Sequence, residues 1–173
     1  MIGLGTIEVT SALGEGGTSE SAFDDALVKC GIHNLNLIGL SSVIPPRVEV
    51  KVVESITIPQ DRWGDRLYCV CARMDIPKLS YDGVYNEGAV GLGWALYDGQ
   101  GGVFVKREAR KGWMVRSPRS KNVVEKDLEK SLHELSLRRE LSIKEQGSLI
   151  LSSESSKDCR CILVVASYQL LPW

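Results

Sequence analysis

Ala89-Val90-Gly91-Leu92-Gly93-Trp94-Ala95-Leu96 has one bulky side and one bare side. Successive side chains of a strand point to opposite faces. Val90, Leu92, Trp94 and Leu96 therefore share one face, and Ala89, Gly91, Gly93 and Ala95 share the other. A face stripped to glycine and alanine admits close approach by a second element or a ligand. Working outward, residues 66–73 alternate like a strand before this one, and 102–108 like a strand after it. Residues 6–12, 35–40 and 47–58 read as earlier strands. Arg160 to Ser167 is nearly continuously apolar, as expected of a central strand.

Two helices separate these strands. Ala22, Phe23, Ala26, Leu27 and Cys30 recur at helical spacing over 20–30, with Ser19 as N-cap and Gly31 as C-cap. The second helix is expected from Val123 to about Ile143, its start marked by Asn122 and Glu125 and its buried stripe by Val124, Leu128, Leu132 and Leu135. Gly147 follows its end. Gly14-Glu15-Gly16-Gly17 lacks a Walker lysine and full dinucleotide spacing, so it reads as a loop. Segments 116–122 and 152–157 read as surface loops. The order predicts an α/β (α+β) sandwich: packed β-sheets flanked by helices, in αββα-like layers.

The 173 residues suit a single domain, 1–173, and the apolar content of 43% suffices for a core. A formal net charge of −1 without a basic stripe argues against nucleic acid. No apolar run reaches the length of a membrane span. The start, Met1 to Gly5, lacks the pattern of a secretory signal. Cys30, Cys69, Cys71, Cys159 and Cys161 are odd in number and lie in apolar segments. They read as reduced core thiols of a cytoplasmic protein rather than as disulfides or a metal site.

Ser41-Ser42 ends the apolar run Leu35–Leu40 and precedes Val43-Ile44-Pro45-Pro46. The plain reading is a strand running into a turn, with Pro45 biasing Ile44 towards extended backbone. The chemical reading is self-cleavage. A serine hydroxyl becomes a nucleophile where the backbone is strained and the developing oxyanion is stabilised. Ser42 Oγ attacks the Ser41 carbonyl, the resulting ester eliminates, and hydrolysis leaves a ketone, a pyruvoyl group, at position 42. Such a ketone condenses with amines and acts as an electron sink for decarboxylation.

The blocks Ser21-Ala22-Phe23-Asp24-Asp25-Ala26-Leu27, Gly31-Ile32-His33-Asn34-Leu35-Asn36-Leu37 and Ser41-Ser42-Val43-Ile44-Pro45-Pro46 together resemble the pyruvoyl-dependent arginine decarboxylases. The likeness is strongest over 15–46 and looser through 75–108. It implies cleavage between Ser41 and Ser42 into chains 1–41 and 42–173, with Ser42 as the source of a covalent pyruvoyl cofactor. It also implies that Asn36 assists cleavage, that Asp24 lines the substrate pocket and that Leu27 helps wall it. A carboxylate suits a guanidinium, because it accepts two parallel N–H bonds. Asp25, about 100° further round the helix, is expected to be a solvated neighbour.

The family's acid is a strand glutamate that returns a proton after CO2 leaves. Here Lys106 stands at its position, and Glu108, two residues on and on the same strand face, is the candidate. His33 replaces a residue that is typically glycine. The resemblance further implies an amino-acid substrate, arginine giving agmatine in polyamine biosynthesis. It implies a homotrimer of cleaved protomers with active sites between subunits. Two alternatives stay open: a non-processing relative acting as a binding or structural subunit, and a decarboxylase for another amino acid.

Overall fold

The computed structural model describes residues 5–59, 61–79, 86–112 and 120–173. Met1 to Leu4 and positions 116–119 of the expected loop lie outside them. The element order is β1 (Gly5–Gly16), α1 (Ser19–Cys30), β2 (Asn36–Gly39), β3 (Val43–Ile44), β4 (Val48–Val52), β5 (Arg66–Ile76), β6 (Asn86–Tyr97), β7 (Gly101–Gly112), α2 (Ser120–Arg139), β8 (Ile143–Glu154) and β9 (Cys159–Leu171). Two sheets form, β2-β5-β9-β1-β4 and β3-β7-β6-β8. The expected αββα layering is what the chain adopts.

Three apolar layers hold it together. Between the sheets, Val9, Val70, Ile162 and Val164 meet Leu92, Trp94 and Phe104. Outside the five-stranded sheet, Ala22, Ala26 and Cys30 of α1 pack on Leu163 and Val165. Outside the four-stranded sheet, Val124, Leu128 and Leu132 of α2 pack on Ala89 and Ala95. β9 is central, antiparallel to β1 and β5 on its two sides. Its residues alternate between two hydrophobic layers, which is why it shows no polar face.

The bare face of β6 receives α2. A Cβ on Gly91 would lie 3.0 Å from Leu128 Cδ1 and 3.0 Å from Val124 Cγ1. The absence of side chains there sets how closely the helix approaches. Gly14 does the same for α1, since a Cβ on it would lie 1.9 Å from the Ala22 carbonyl oxygen. Gly14 to Gly16 are therefore not a loop. They complete β1, paired with Cys159 to Cys161, and their smallness lets α1 lie against the strand.

Several boundaries differ from expectation. The α1 N-cap is Thr18, whose hydroxyl accepts from the Ser21 amide in a capping box, while Gly31 closes the other end in the left-handed conformation. Asn122 lies inside α2. That helix starts at Ser120, whose amide and hydroxyl both donate to Glu87 of β6, at 2.9 and 2.6 Å. It stops at Arg139, before the left-handed Glu140 (φ 54°). Strand β8 takes up the expected helix end, Gly147 and much of the expected Ser-rich loop. Among the described residues it is an edge strand paired only with β6. One partner and little burial leave its sequence polar enough to lack strand periodicity. Gly147 accommodates the Trp94 ring, with a Cβ there falling 2.3 Å from Trp94 Cζ2. The 47–58 strand shortens to Val48–Val52, parallel to β1 at the sheet edge.

Candidate active site at the sheet crossover

Ser41 and Ser42 are where the chain passes from one sheet to the other. β2 runs parallel to β5 in the five-stranded sheet, and the Leu40 amide donates to the Cys69 carbonyl at 2.9 Å. Three residues later β3 pairs antiparallel with β7 in the four-stranded sheet, Val43 opposite Val103. Ser42 takes φ 77°, a left-handed conformation that costs an L-residue about 1–2 kcal/mol. Its carbonyl accepts the Phe104 amide at 2.8 Å, and the Val43 carbonyl accepts the Tyr168 hydroxyl at 3.1 Å. The Ser41–Ser42 bond thus has a fixed point on each side and strain at its centre.

Tyr168 is a neighbour that sequence reasoning missed. It is the extra residue of a bulge in β9, where Cys69 faces Ser167 and Tyr68 faces Gln169. Burial raises its phenol above the usual range, so it stays protonated as a donor. Its ring lies 6.0 Å from Phe104, which lies 6.2 Å from Trp94. This aromatic row forms a stiff floor beneath the crossover.

A cavity of about 370 Å³ opens on the serines, lined also by Lys106, Arg107, Glu134 and Arg138. The α2 residues in it carry no local signal, because only tertiary packing brings them there. Arg107 donates to Ser131 Oγ at 2.8 Å and to the Lys106 carbonyl at 2.9 Å. An adjoining cavity of about 470 Å³ is lined by Cys71, Arg73, Lys106, Arg107 and Glu108, among others. Lys106 and Glu108 share a strand face with Phe104. Lys106 lines both cavities, whereas Glu108 lines the second and not the one that opens on the serines.

The other expected site residues stand apart from Ser42 within this chain. Asp24 is exposed on α1, beyond the five-stranded sheet. Leu27 is half-buried against the layer beneath that helix. Asn36 opens β2, six residues before Ser42, and its side-chain amide donates to the Gly64 carbonyl at 2.5 Å. His33 lines a third cavity with Trp63 and Arg62. Asp25 is more than a solvated neighbour: its carboxylate accepts from the Glu15 amide at 2.8 Å and from Lys29 at 2.7 Å. Those two donors hold its pKa below the ordinary carboxylate value, Lys29 being the larger cause.

The five cysteines are free. Burial pushes Cys30 and Cys161 up to about 12. Cys69 and Cys71 share a strand face with sulfurs 3.4 Å apart. The neighbouring Cys69 thiol, then burial, raises Cys71. Among the described residues no group of three or more His, Cys, Asp or Glu is placed to hold a metal ion. No helix among them is long and apolar enough to cross a membrane.

Comparison with known proteins points to one family. A pyruvoyl-dependent arginine decarboxylase from Thermococcus kodakarensis is 56% identical over 41 residues, 24% of this chain and 26% of that protein. One from Methanocaldococcus jannaschii is 44% identical over 45 residues, 26% and 27% of the two chains. One from Methanothermobacter thermautotrophicus is 34% identical over 68 residues, 39% and 42%. The matched stretches thus span a quarter to about two fifths of these curated relatives. The sequence model described as pyruvoyl-dependent arginine decarboxylase matches residues 6–170, nearly the whole chain, and the chain therefore belongs to that family.

Proposed function

We propose that the chain cuts itself between Ser41 and Ser42 and then decarboxylates an amino acid, arginine to agmatine and CO2. One observation carries this reading. In a member of this family, Ser42 combines a left-handed backbone with a carbonyl pinned to Phe104. Strain at Ser42 raises the energy of the intact peptide, and the pinned carbonyl holds the residue while its hydroxyl turns back on Ser41.

The residues fit a ketone derived from Ser42, because the Phe104 amide would donate to the carbonyl next to it. That group supplies the electron sink for loss of CO2. Asp24 is the guanidinium ligand in this reading, Leu27 a pocket wall, Asn36 an aid to cleavage and Glu108 the acid that returns a proton. Their separation from Ser42 within one chain calls for assembly, and a homotrimer with sites between subunits is the proposed state. Open strand edges support it. Among the described residues, β5 has no partner on its β2 side beyond Cys69, and β7 has none on its β3 side beyond the Ser42–Phe104 contact. Free thiols suit a reducing cytoplasm.

Denaturing mass spectrometry with a CO2-release panel tests this reading. Fragments 1–41 and 42–173, with release from arginine, are expected; an intact, inactive chain refutes it. Release from another amino acid keeps the processing and replaces the substrate. Lys106, where the family carries its acid, favours a second reading, a non-processing subunit of an active relative. A stable complex of intact chain with such a relative is its signature.

A further inference from the structure

Cleavage at Ser41–Ser42 would create an anion that the intact chain lacks, the α-carboxylate of Ser41. The cavity on these serines is cationic, with Lys106, Arg107 and Arg138 facing one carboxylate, Glu134. Arg107 is committed to Ser131 and to a backbone carbonyl. The Lys106 side chain is exposed and forms no hydrogen bond or ion pair among the described residues. It lies two residues beyond Phe104, whose amide holds the Ser42 carbonyl. That is about 7 Å along the strand, within reach of a lysine side chain.

We propose that Lys106, with Arg138 beside it, stabilises the Ser41 carboxylate as it leaves during self-cleavage and then holds it as the C-terminus of residues 1–41. The inference rests on Ser42 being processed. In the first step Ser42 Oγ bonds to the Ser41 carbonyl carbon, that carbon's bond to the Ser42 nitrogen breaks, and the hydroxyl proton passes to the nitrogen. The amide becomes an ester with no atom gained or lost. In the second step Ser42 Cα gives its proton to a base, and the Cβ–Oγ bond breaks with its electron pair going to Oγ. That oxygen is now part of the Ser41 carboxylate. The enamine left at position 42 takes up one water and releases one ammonia, giving the ketone. No oxidant is required. The second step ends in a full negative charge at the cavity. A lysine there favours elimination over the charge-neutral acyl shift. A lysine at this position thus serves the making of the cofactor rather than the return of a proton to substrate.

The test follows processing of the full chain by denaturing mass spectrometry, with and without hydroxylamine, which captures esters as a 1–41 hydroxamate. Lys106→Gln is expected to cleave about tenfold more slowly and to accumulate the hydroxylamine-sensitive ester. Lys106→Arg is expected to restore the rate, and Arg138→Gln to show the same defect more weakly. Circular dichroism of each variant checks that the exposed substitutions leave the fold intact. Wild-type processing by Lys106→Gln overturns the inference while leaving self-cleavage standing. Slow cleavage without ester also overturns it, because the lysine would then act before the elimination. A wild-type chain that stays whole and yields no hydroxamate overturns both this inference and the processing on which it rests.

Discussion

Ser42→Ala and Ser42→Gly should separate the strain at the crossover from the chemistry of the hydroxyl. Neither variant has a nucleophile, so both should remain whole by denaturing mass spectrometry and release no CO2. They differ in what φ 77° costs them. An L-residue held in the left-handed region loses about 1–2 kcal/mol, which glycine does not. Glycine gives back about 0.4–1 kcal/mol through its freer unfolded chain. The difference leaves Ser42→Gly about 1 kcal/mol more stable than Ser42→Ala, which for a chain of 173 residues is about 2–4 °C in Tm. Urea unfolding and thermal melts of the two uncut proteins measure it directly. The comparison is like for like, because the lost hydroxyl and the uncut backbone are common to both. Equal stability, or a more stable alanine variant, would show that the crossover stores no strain. Self-cleavage would then need a different driving feature.

Three further outcomes follow from the packing and the titrating groups. Leu128→Ala removes a side chain that is 1% exposed beneath α2 and should cost about 2–5 kcal/mol in urea unfolding, because the glycines of β6 cannot fill the space. Asp25→Asn should lower stability at neutral pH. The folded-state pKa of Asp25 is depressed, so its contribution is present above about pH 4 and fades as the pH falls through the lower folded value. The gap between Asp25→Asn and wild type should therefore close on acidification, as melts at a series of pH values would show. Cys30 and Cys161, pushed up to about 12 by burial, should resist iodoacetamide at pH 8 in the folded chain and react once it is unfolded. Mass spectrometry of the alkylated peptides reads the difference.

The parts of the fold legible in the sequence are those that burial on two sides forces into a pattern. α1 shows its apolar face because Ala22, Ala26 and Cys30 are wholly buried. β9 shows an unbroken apolar run because it faces both α1 and the opposing sheet. The glycines of β6 announced a close approach, though not by which element. β8 was hidden for the opposite reason. An edge strand with one partner needs few apolar positions, and its charged start extends the α2 pattern without a break. Gly14 and Gly16 misled because glycine serves a turn and a tight helix–strand contact equally well; only the Ala22 backbone beside them distinguishes the two. At the site, Ser41–Ser42 was legible from its neighbours in the chain. Arg138 and Tyr168 were not, since the Tyr168–Val43 contact joins residues 125 apart.

The serine pair and the sandwich explain each other. Stacked sheets lie about 10 Å apart. From Leu40, bonded in one sheet, to Val43, paired in the other, the chain has three Cα steps, a reach of at most about 10–11 Å. A link with so little slack forces an unfavourable backbone on whatever residue sits in it, and here that residue is Ser42. Serine suits the place because its short side chain can turn back on the preceding carbonyl without crowding the floor of Tyr168 and Phe104. β1 is hydrogen-bonded between β9 and β4, and α1 packs beneath them. Residues 1–41 would therefore remain seated after the bond is cut. A cut there would relieve the crossover without dismantling either sheet, so the fold can hold strain at this peptide.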